Sequence, residues 1–157
     1  MTQPFDPVLI VEEFIFQTLK DDPTIDSLVG PDNIWPAFSP VDVAEMHLTH
    51  DFAGPDGGRP TVPQGQGLGM IELDWDITAW VEGEDRQILR PVMKAVMSRL
   101  TGAEIRGRMF QFESDDGSYW DVSVRYSGPV VVPADIGPGM TWQRVSARYA
   151  VTLRPIG

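Results

Sequence analysis

The chain has no cysteine, and only two histidines and two lysines among 157 residues. The missing cysteine removes disulfides, thiolate metal sites and thiol nucleophiles together. His47 and His50 are therefore the sole imidazoles available for acid–base or metal chemistry. Cations are scarce as a class: 12 Lys and Arg stand against 23 Asp and Glu, a net charge of −11. Holding nucleic acid requires clustered cations against phosphate, so this balance argues against a nucleic-acid binder. Long apolar runs are missing too. Glu12 and Glu13 interrupt the first one, and Met1-Thr2-Gln3-Pro4 lacks the basic start of a signal peptide, so neither a leader nor a membrane span is expected.

What is present suffices for a core. Hydrophobic residues make up 42%, with five Trp, which places residues 1–157 in one ordered domain of ordinary size. The charge is graded along the chain. Residues 1–30 net −5, residues 31–69 net −4, residues 70–104 net −3 and residues 105–157 net +1. Such a gradient suits head-to-tail association between copies; it equally suits a solvated acidic surface kept soluble by repulsion.

Asp6-Pro7 carries the signal for a helix start, with Asp6 as N-cap and Pro7 where no N–H is needed, so a helix is expected to about Lys20. At 100° per residue its apolar stripe is wide. Val8, Val11, Phe14, Ile15 and Leu19 form the centre, and Leu9, Ile10 and Phe16 broaden it. The helix is either enclosed within the domain or meets another subunit, with Leu9 and Phe16 as the candidate subunit contacts. Asp22-Pro23 repeats the cap for a short turn ending near Gly30, and Ile34-Trp35 enters a strand stopped by Pro36.

Residues 39–69 are punctuated by Gly and Pro and read as a long loop, within which Met46-His47-Leu48 is a candidate edge strand. From Ile71 to Val81 apolar and polar residues alternate strictly, the signature of a half-buried strand. A second helix is expected over about Glu84–Leu100, kinked or truly begun at Pro91. A hairpin follows, Met109–Glu113 turning at Asp115-Asp116-Gly117 into Tyr119–Tyr126. Residues 134–142 form a further Gly/Pro loop, and a last strand aligns Val145, Ala147, Tyr149, Val151 and Leu153. The expected fold is α+β: a mixed or antiparallel sheet with two main helices on one face and long Gly/Pro loops.

The candidate chemistry is thin. Glu72, Asp74 and Asp76 share one strand face, but a cation site draws oxygens from several elements and no further donor is evident. Arg144 and Arg148 lie on the polar face of the last strand and are expected to pair with that acidic strand, within the sheet or across subunits. These five residues are the candidate lumen or interface set. His47 and His50 read as structural or solvent-exposed. Gly65-Gln66-Gly67-Leu68-Gly69 precedes a strand and lacks Lys, unlike a phosphate loop. No nucleophile elbow surrounds any serine and no carboxylate sits in an evident apolar pocket, so no enzyme, metal or cofactor is expected.

The element order resembles the tail terminator, or tail completion and head–tail joining, family of long-tailed bacteriophages. The resembling stretches are Leu19-Lys20-Asp21-Asp22-Pro23-Thr24-Ile25-Asp26-Ser27-Leu28-Val29-Gly30 and Ile34-Trp35-Pro36. Leu73–Trp80, the helix end Met97-Ser98-Arg99-Leu100-Thr101-Gly102, Tyr119–Tyr126 and Arg144–Leu153 follow in the same order. The resemblance implies a structural virion protein assembled in the bacterial host cytoplasm. It implies a ring, usually of six copies, that caps the tail tube protein and offers its other face to the head–tail connector. DNA would pass through the channel without specific binding, and no cofactor belongs to the family. Two alternatives stand beside it: another neck or minor tail component, such as a connector or tube protein, and a small ligand-binding or regulatory α+β domain.

Overall fold

A computed structural model describes residues 6–36, 46–53, 70–83, 86–102, 107–130 and 142–156. Helix α1 runs Pro7–Lys20 and helix α2 Pro23–Leu28; in each the preceding aspartate caps the free N–H groups. Asp6 Oδ1 accepts from the Val8 amide at 2.9 Å, and Asp22 Oδ1 accepts from Thr24 and Ile25 at 2.9 and 3.0 Å. Each such cap stabilises its helix by about 1 kcal/mol. Gly30 follows with φ +92°, and strand β1 covers Ile34–Pro36.

The remaining strands are β2 (Met46–Phe52), β3 (Ile71–Glu82), β4 (Arg108–Glu113), β5 (Tyr119–Val130) and β6 (Trp142–Pro155). They form one six-stranded sheet in the order β1-β2-β3-β6-β5-β4. Only the β1–β2 pair is parallel, so the sheet is mixed and the fold is α+β, as the alternation and element order indicate.

Two boundaries differ from the sequence reading. Residues 46–52, placed there inside a loop with a three-residue edge strand, make a seven-residue strand paired on both sides, with β1 and β3. The helix expected from Glu84 begins at Arg90, after a 3-10 turn at Arg86–Leu89. Pro91 is the reason: it has no N–H to donate and is accommodated only in the first turn. Helix α3 then ends at Thr101, capped by Gly102. The rest of the 39–69 loop, except Ala53, and residues 134–141 lie outside the described residues.

One face of the sheet is the core. Ile71, Leu73, Trp75, Ile77, Ala79 and Val81 of β3 are all buried on it, beside Val122 and Val124 of β5 and Tyr149, Val151 and Leu153 of β6. Helix α3 presents Val92, Val96 and Leu100 to this face. Helix α1 accounts for its own broad stripe. It packs on β1 and β2, yet its Phe14 ring also meets Phe110 and Phe112 of β4, with centroids 5.2 and 5.5 Å apart. Strands at both ends of the sheet order reach one helix, so the sheet curls around it. Ile10, Val11, Phe14, Ile15 and Leu19 are buried by that embrace, while Leu9 remains 60% exposed.

Gly107 opens β4 at φ +94°, and a Cβ there would lie 2.6 Å from the Val124 carbonyl oxygen. Gly107→Ala should therefore lower the stability by about 1–3 kcal/mol, measured as a reduced urea midpoint at unchanged slope.

Candidate functional site

Strand alternation places the predicted charged residues on the sheet face opposite the core. Asp76 stands across from Arg148, and the pair is bidentate: Nε donates at 2.8 Å and the second nitrogen at 3.1 Å. This bond raises the Arg148 pKa further. Glu72 meets Arg125 of β5 at 3.5 Å, a more exposed contact. Asp74 and Arg148 line a shallow cleft with residues 127–130. Arg144 is not brought to a carboxylate. It stands opposite Trp80, with its guanidinium 5.3 Å from that ring. Thus Asp76 and Arg148 come together, Glu72 takes a partner the sequence did not suggest, and Arg144 binds an aromatic face.

The two histidines point to opposite faces of β2, because an odd spacing of three in a strand reverses the side. His47 stacks on Trp80 at 6.0 Å and 4°, with Trp142 edge-on at 5.2 Å. His50 turns into the core side, where its Nδ1 accepts from Trp75 Nε1 at 3.1 Å. That bond assigns the proton of the neutral ring to Nε2, which has no partner. Burial pushes the His50 pKa down to about 4, so the ring is neutral at physiological pH. Both imidazoles lie against tryptophan rings, and no group of three or more potential metal ligands occurs among the described residues.

His50 lines a cleft of about 710 Å³ between α1 and β1. Leu9 and Phe16 of α1 face Ile34, Trp35 and Pro36 across it, and Glu12, Glu13, Asp32, Asp115 and Lys20 surround it. Trp35 stands opposite Thr49, so its side chain is on the other sheet face from His50, and its Nε1 is buried without a partner among the described residues. Glu13 is occupied: its carboxylate accepts from Ser114 Oγ at 2.8 Å and from the Asp115 amide at 2.7 Å, fastening α1 to the β4–β5 turn. The Glu12 carboxyl is raised above its usual range, by burial first and then by Asp51 and Asp6. The cleft is thus apolar inside and acidic at its rim.

No family model matches the chain, and no curated protein matches it. The fold is shared with a solved structure. A chain of the "Virion of native gene transfer agent (GTA) particle" superposes with TM-score 0.60 over 88% of this chain and 90% of that one. Sequence identity is 15%, so the likeness establishes the architecture and leaves the role to be argued.

A second cleft, of about 560 Å³, opens beneath α3, with Arg86, Arg90 and Lys94 on one side and Val145, Ala147 and Tyr149 on the other. The Tyr149 hydroxyl is buried there without a partner, and burial raises its pKa well above the usual tyrosine range. Sequence reasoning missed both clefts. Pro36 and His50 stand far apart in sequence, and only the parallel β1–β2 register, which sets them opposite each other, unites them.

Proposed function

We propose that the protein is a structural component of a phage-like virion, and specifically the ring-forming tail terminator that caps the tail tube and receives the head connector. The observation that carries this reading is the shared fold, across nearly the whole of both chains, with a protein chain of a gene transfer agent virion. The charge gradient supports it, since a cyclic ring needs two different, complementary surfaces on each copy. The charged sheet face, with Glu72, Asp74, Asp76, Arg144 and Arg148, would on this reading form the lumen wall or the ring interface. On this reading the chain is not an enzyme and requires no cofactor.

Light scattering on concentrated protein should give the mass of a closed ring, six copies by the resemblance, and negative-stain images should show a central hole. A strict monomer that binds a small molecule in the α1–β1 cleft would instead favour a ligand-binding domain. Deleting the gene from a producing genome should leave tails of uncontrolled length. Normal tails beside unjoined heads would identify a connector.

A further inference from the structure

We propose that the α1–β1 cleft of one copy receives the Arg86–Arg90 corner of a second copy, with Ile88 as its apolar anchor. This contact rests on the ring reading above and names the surfaces that would build it. The cleft states what it can accept. Leu9, Phe16, Ile34 and Pro36 give it an apolar lining. Glu12, Glu13, Asp32 and Asp115 border the same space, so an anionic group would be repelled. The fitting group is an apolar body flanked by cations.

The chain carries a segment of that chemistry. Leu9, Leu28, Ile88, Met109, Tyr119 and Ile156 are the large apolar side chains exposed among the described residues. Leu9 already belongs to the cleft. Of the others, Ile88 alone lies between two exposed arginines, Arg86 and Arg90. Arg108, beside Met109, is already committed to the Phe110 ring at 4.8 Å and to the Arg99 carbonyl. Ile88 sits on the 3-10 turn at Arg86–Leu89, ahead of α3, and so projects from a short corner. In the contact Ile88 packs against Leu9, Phe16 and Pro36, and Arg86 and Arg90 face Glu12 and Asp32. Because the two surfaces differ, the contact is heterologous, and its repetition closes a ring or extends a filament.

A charge exchange in the full-length chain tests it, with assembly followed by sedimentation velocity against protein concentration. Glu12→Arg and Arg90→Glu should each raise the concentration for half-assembly by about tenfold or more. The double variant should return to within about threefold of the wild type, the two reversed charges now facing each other. Ile88→Asp should abolish assembly while the thermal melt of the monomer stays close to that of the wild type. Asp32→Arg with Arg86→Glu forms a second exchange pair that reads the same contact if a member of the first pair unfolds. Rings insensitive to every single substitution, or folded double variants that stay apart, overturn this contact and leave the ring reading standing. A wild type that remains monomeric at all concentrations overturns both.

Discussion

Trp75→Ala should destabilise the domain by about 3–5 kcal/mol, the range of large aromatic truncations in cores. Trp75 is 1% exposed at the middle of the sheet, in register with Phe52 on β2 and Tyr149 on β6. Its ring lies 6.1 Å from that of Phe52 and 6.0 Å from His50. Truncation removes the largest fully buried side chain among the described residues and opens a void in the core. It also strands His50 Nδ1, which accepts the Trp75 indole proton. The two costs separate experimentally. Trp75→Phe keeps much of the apolar area but still orphans the imidazole nitrogen, an expected loss of about 1–3 kcal/mol. Urea unfolding of both variants measures this. A loss under about 1 kcal/mol for the alanine variant would mean that the sheet is not centred on this side chain.

The elements most visible in the sequence are those whose local signals agree with their final environment. Asp6-Pro7 and Asp22-Pro23 cap helices that begin where expected, and the alternation from Ile71 reflects a strand buried on one side only. Strand β2 is hidden for the opposite reason. His47, Leu48, Thr49 and His50 are all buried although they point to both faces, so no polar–apolar alternation exists to be read. The breadth of the α1 stripe was legible, but its cause was not, since curling of the sheet depends on Phe14 meeting β4 nearly a hundred positions later. Opposite charges on two strands suggested pairing; register then gave Asp76 to Arg148 and left Arg144 to Trp80. Register is a global property and leaves no trace in either strand alone.

Acid should weaken the fold through His50. In the unfolded chain its imidazole titrates near 6.5, whereas burial holds it near 4 in the folded protein. Between those values the unfolded state binds the extra proton, so stability falls as pH falls. The contribution is fully present above about pH 6.5 and is lost as the pH drops through about 4, amounting to about 3 kcal/mol in total. Around the ring, Trp75 Nε1 donates to Nδ1, and Glu12, Glu13, Asp32 and Asp115 border the same cleft. Glu12 acts in the opposite direction. Its raised pKa lets the folded state take up a proton more readily, which offsets part of the loss. Comparison with His50→Gln isolates the imidazole, because the glutamine carbonyl still accepts from Trp75 but does not titrate. Between pH 7.5 and pH 4.5 the wild type should lose about 2 kcal/mol more than this variant in urea unfolding. Parallel profiles would mean that the His50 ring meets water in the folded state.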